Sequence, residues 1–146
     1  MNRATPLEAS VLESGATLGD DAGWSVPHAF AGLAVELEAI DAGAGIADVS
    51  HFGHFTLSGK NSVKFLQGLV TNDVAALAPG TGCLAAFLNV HGRIEAVAHV
   101  FAAGENDLVI QTPPEATDWV ASSLGRFRLA GGFDLSLMEG VAAIAV

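Results

Sequence analysis

Hydrophobic and polar positions change their spacing along this chain, and the change divides it. Over the first 52 residues the spacing is helical wherever it is regular. Leu7, Val11 and Leu12 form an apolar stripe, so the first ~20 residues read as a short amphipathic helix, with Thr5 as its cap and Pro6 in its first turn. Gly23-Trp24-Ser25-Val26-Pro27 reads as a loop in which Pro27 biases Val26 toward extended backbone. Leu33, Leu37 and Ile40 predict a helix over 33–42, which Gly43 and Gly45 stop. A short extended segment over 46–50 follows.

From His54 the pattern alternates. Phe55 and Leu57 mark a strand over 54–58, and Val63, Leu66 and Val70 mark a helix over 60–70. Pro79-Gly80 is a turn signal. Residues 83–88 and 93–101 read as two strands joined by a hairpin at Asn89-Val90-His91-Gly92, and 107–111 as a further strand. Pro113-Pro114 opens a helix to about residue 126, with Ala116, Trp119, Val120 and Leu124 inward, and a strand over 133–137 comes next. Strand, helix, three strands, helix, strand is the order of a ferredoxin-like sandwich with one extra strand, an α+β antiparallel sheet with two helices. The apolar strand candidate Val141–Val146 has no polar exit, which suggests a truncated chain.

Composition narrows the function classes. Apolar residues make up 51% and charged residues 15% of 146 positions, with a mean hydropathy of +0.46, so a packed core is expected and disorder is not. A net charge of −10 argues against a nucleic-acid partner. No apolar run reaches the ~18 residues of a membrane span, and the amino terminus lacks signal-peptide order. A lone cysteine, Cys83, fits a reducing cytoplasmic setting.

Candidate chemistry is sparse. His51 and His54 would be divided by extended backbone, so a metal site is not expected, and Cys83 reads as a small core residue. Thr71-Asn72-Asp73 reads as a polar turn after a helix. The second hairpin strand stands out. Ile94, Ala96, Ala98 and Val100 form a uniform apolar face toward the helices, whereas Arg93, Glu95, Val97, His99 and Phe101 form a mixed one. That mixed face suits solvent or a polar ligand cavity equally.

Four segments carry a family resemblance. Gly23-Trp24 with Pro27, then 45–51 (GIADVSH) and 65–74 (FLQGLVTNDV), resemble the T-protein, the aminomethyltransferase of glycine cleavage. The segment 88–94 (LNVHGRI) is closer to the YgfZ branch of the same superfamily. The resemblance implies a three-domain cloverleaf around a tetrahydrofolate cavity. Residues 1–52 would begin a discontinuous first domain, 53–138 would be the ferredoxin-like second, and 139–146 would return to an incomplete first. It also implies a folate-like ligand bound through Phe52, Leu84, Glu95, Val97, His99 and Phe101. The family's hairpin aspartate falls at Val97, which can neither accept a proton nor stabilise positive charge, so no catalytic residue is expected. The YgfZ branch implies a tetrahydrofolate-binding protein that supports iron–sulfur enzymes, with iron–sulfur proteins as partners. The T-protein branch implies aminomethyl transfer or a related folate-dependent demethylation.

Overall fold

Backbone pairing begins with β1 (Arg3–Ala4), followed by α1 (Glu8–Glu13) and a hairpin of β2 (Thr17–Asp21) and β3 (Trp24–Ala29). This computed structural model describes residues 2–146. β3 is the middle strand, antiparallel to β2 and parallel to β1. The loop expected over 23–27 is therefore corrected to a strand, and the helix expected over the first ~20 residues is confined to α1, the chain after it being extended in β2. Ser25 and Pro27 of β3 break the apolar alternation, and the tight turn at Ala22 and Gly23, both with positive φ, sets the pairing instead. Thr5 does not cap α1 with its side chain. Its hydroxyl donates to Asp48 Oδ2 at 2.7 Å, and its carbonyl accepts from the Glu8 amide. α2 (Leu33–Ala42) forms where its spacing predicts and leads to β4 (Ala47–Asp48).

The alternating half of the chain builds a single sheet. β5 (Gly53–Ser58) is followed by α3 (Ser62–Gln67), and β6 (Gly82–Leu88), β7 (Ile94–Ala102) and β8 (Asp107–Thr112) form a meander. α4 (Thr117–Gly125), α5 (Arg128–Gly131) and β9 (Asp134–Leu137) complete it. The strands lie in the order β6-β7-β8-β5-β9, and every neighbouring pair is antiparallel. The fold class is thus α+β, as the pattern predicts. β10 (Ile144–Ala145) then pairs with β4.

Internal contacts separate Met1–His51 with Gly140–Val146 from Phe52–Glu139. The larger core belongs to the second of these units. Ala96, Ala98, Val100 and Ala102 of β7 are buried with Phe55, Leu57, Leu108 and Ile110 from β5 and β8. Leu66, Val120 and Leu124 cover them from the helices. Each fully buried Leu, Ile or Val contributes on the order of 1.5–3 kcal/mol. Ile94 is the exception on the apolar face, being 66% exposed next to the hairpin turn.

Two devices shape this sheet locally. At the hairpin, Gly92 takes φ +76 and its amide donates to the Asn89 carbonyl. The Asn89 side-chain oxygen accepts from the amides of His91 and Arg93, which locks the turn. At the outer edge of β6, Thr71 donates its amide to the Ala86 carbonyl and accepts the Ala86 amide on its hydroxyl. Asn72 Nδ2 donates to the Leu84 carbonyl. Thr71-Asn72 therefore occupies backbone groups that an edge strand would otherwise leave open, and Asp73 caps the short 3-10 turn Val74–Ala76.

Candidate functional site

With one face of the five-stranded sheet buried under helices, chemistry has to be sought on the other. Strand pairing fixes which residues share it. His54 of β5 lies opposite Gln111 of β8, Gln111 opposite His99 of β7, and His99 opposite Leu84 of β6. One row thus crosses four strands. A parallel row runs Thr56, Val109, Phe101 and Gly82, and a third pairs Val97 with Ala86.

Three large apolar side chains on this face remain open. Leu84 is 55% exposed, Phe101 41% and Val97 37%. The rings of His99 and Phe101 lie 26° from parallel with centroids 6.2 Å apart. In the first row, His54 and Gln111 approach through their Nε2 atoms at 3.0 Å, and His54 is buried. The site is therefore carbon-rich along β6 and β7 and becomes polar toward β8 and β5.

Of the six residues expected to line a ligand, Leu84, Val97, His99 and Phe101 are brought together on adjacent strands. Glu95 is on the same strand, but its carboxylate accepts from Asn89 Nδ2 at 2.6 Å and is engaged with the hairpin turn. Phe52 precedes β5, which is two strands from β7 in the sheet. Gln111 and His54 complete the row and were not anticipated. A long polar side chain ending the apolar run Leu108-Val109-Ile110 within one strand was the signal for the first of them.

Backbone at residue 97 is held in an unusual way. The paired β7–β8 register ends at His99 and Gln111, so Val97 lies beyond the ladder, and Pro113, which follows β8, has no N–H to extend it. The buried Thr112 hydroxyl donates to the Val97 carbonyl instead, at 3.1 Å. Cys83, on the opposite side of β6, packs against the core. Burial, and secondarily the Asp73 carboxylate, push its thiol pKa up, which favours the protonated form.

The first unit has its own cleft, of about 660 Å³, walled by α1, α2 and the 44–48 segment. The Glu36 carboxylate beside it is already engaged: Oε1 accepts from the amides of Phe30, Ala31 and Gly32 at 2.9–3.0 Å. His51 Nε2 and Asp21 Oδ2 are 2.8 Å apart in the same unit, so His51 and His54 serve different units.

A family model described as the GCVT N-terminal domain matches residues 7–138. The aminomethyltransferase of Deinococcus deserti is 33% identical over 137 residues, covering 92% of this chain and 37% of that protein. The aminomethyltransferase of Bacillus subtilis is 39% identical over 106 residues, or 73% of this chain and 29% of that one. A crystal structure of the glycine cleavage system aminomethyltransferase T from Bartonella henselae superposes with a TM-score of 0.80 at 22% identity, over 95% of this chain and 39% of that one. That identity establishes a shared fold. The chain spans between 29% and 39% of the length of these three proteins.

Proposed function

From the premise that this chain belongs to the GCVT N-terminal domain family, we propose that it binds a tetrahydrofolate-type ligand on the open sheet face of its second unit. The observation that carries this reading is the exposure of Leu84, Val97 and Phe101 on two strands whose reverse face is buried at Ala85, Phe87, Ala96, Ala98, Val100 and Ala102. Exposed carbon of that kind, beside the polar His99 and Gln111, suits a flat ring system with a polar rim. The residues present fit such a ligand as a surface to hold it. Residue 97 offers no carboxylate, so the chain's own groups hold and orient the ligand and exclude water, and no proton is moved there.

A second reading, aminomethyl transfer, is favoured by the names of the relatives. It requires a group other than residue 97 to act, and Glu95 is the nearest carboxylate along β7. The hydrogen bond from Asn89 keeps that carboxylate at the hairpin end of the strand. Placement in the YgfZ branch, with a role in iron–sulfur enzyme maintenance, rests on the hairpin resemblance and on Val97 standing where the family's aspartate would fall.

Calorimetric titration with 5-formyl-tetrahydrofolate tests the ligand reading. Saturable binding is expected, weakened several-fold by Leu84→Ala. Absence of any binding at millimolar ligand would sink it. Glycine-dependent turnover that disappears in Glu95→Gln would establish the second reading.

A further inference from the structure

One residue on the open face is defined by what it lacks. Gly82 lies directly opposite Phe101 in the β6–β7 ladder. A Cβ placed on it would sit 2.5 Å from Phe101 Cδ1 and 3.0 Å from Cε1, so the phenyl ring occupies the space that a side chain would take. The same Cβ would be 2.9 Å from the Val100 carbonyl oxygen. The φ of Gly82 is not among the positive values, so backbone conformation does not demand glycine there. Close approach does.

The consequence reaches the neighbouring side chains. With its ring over Gly82, Phe101 stays down against β6 while keeping 41% of its surface open. It also holds its near-parallel relation to His99, which lies across from Leu84. Gly82, Phe101, His99 and Leu84 therefore form one low floor of carbon and imidazole.

We propose that Gly82 is a positioning residue: by leaving room for the Phe101 ring it sets the depth of the ligand-binding face, which then admits a planar ring stacked on Phe101. This rests on the ligand reading above. A side chain at 82 lifts the ring, and the lifted ring blocks the place where a planar ligand would lie. Ring stacking lost in this way costs roughly fivefold in affinity.

The test uses the whole chain, 5-formyl-tetrahydrofolate as probe, and the variants Gly82→Ala, Phe101→Leu and their combination. Each single variant is expected to bind roughly fivefold more weakly, and the double variant no more weakly than either. Gly82 Hα is expected to show an upfield ring-current shift that vanishes in Phe101→Leu. Wild-type binding together with an unaffected Gly82→Ala, or losses that multiply in the double variant, would overturn the inference and leave the ligand reading standing. No wild-type binding would overturn both, whatever the ring-current shift shows. Should Gly82→Ala fail to fold, Phe101→Leu decides: unchanged affinity or an unshifted Gly82 Hα counts against the proposal.

Discussion

The two units of this chain are built from similar apolar-rich sequence, yet only one hides its carbon. In the second unit, residues from Phe55 to Phe133 form a continuous buried cluster. Among the described residues of the first, the buried ones are Ala16, Thr5, Ser50 and His51, of which only Ala16 is apolar. α2 buries none of its ten residues, and Leu33, Val35, Leu37 and Ile40 on it are each more than half exposed. What holds the first unit is hydrogen bonding: Thr5 to Asp48, the Ser50 amide to Asp48, Ser50 to Ala143, and Glu36 to three amides. A network of that kind orders backbone but supplies little of the burial that makes unfolding cooperative. The second unit is therefore the stable platform, and it carries the candidate site.

The strongest way to break this comparison is to remove the same side chain from each unit. Leu66→Ala in α3 is expected to cost about 2–5 kcal/mol, because the side chain is completely buried and a cavity is left behind. Leu37→Ala in α2 should stay within about 0.5 kcal/mol, its side chain being 52% exposed. Urea midpoints read by hydrogen exchange within each unit measure both. Equal losses would mean that the first unit has a core of its own. A smaller effect is expected from Ser50→Ala. The Ser50 hydroxyl accepts the Ala143 amide at 2.9 Å, and leaving that amide unpartnered costs about 1–2 kcal/mol. The loss should appear as faster exchange at Ala143, with amides of β8 unchanged.

The same contrast explains how much could be read beforehand. Strands of the second unit were legible because burial on one face writes itself into the sequence as alternation, as in Ala96, Ala98 and Val100. The β2–β3 hairpin was not, since neither face of it is fully buried and Ser25 and Pro27 interrupt the pattern. At the candidate site, alternation assigned Val97, His99 and Phe101 to one face correctly. It could not supply register, and register alone puts His54, Gln111, His99 and Leu84 in one row. Gly82 was invisible for the same reason: its role depends on the residue across the ladder. Thr71-Asn72 was read as a turn, which understates it, because the edge of β6 that it seals is distant in sequence.

The smallest effect expected sharpens the comparison through pH. Glu36 is only partly buried, yet the amide of Phe30, followed by that of Ala31, favours its charged form and holds its pKa below the ordinary 4.5. A carboxylate with a depressed folded pKa adds stability that is fully present above its unfolded value. That stability is lost as pH falls through the folded value. Wild type should therefore exceed Glu36→Gln in amide protection at Phe30, Ala31 and Gly32 at neutral pH, and the excess should shrink once pH drops below 4.5. Core amides of β5 and β8 should show no such pH-dependent difference between the two proteins, because carbon holds them. An excess independent of pH would mean that the amides are held by loop geometry and not by the charge. A parallel change at β8 would show that the two units unfold together, and the contrast between them would then lie in burial alone.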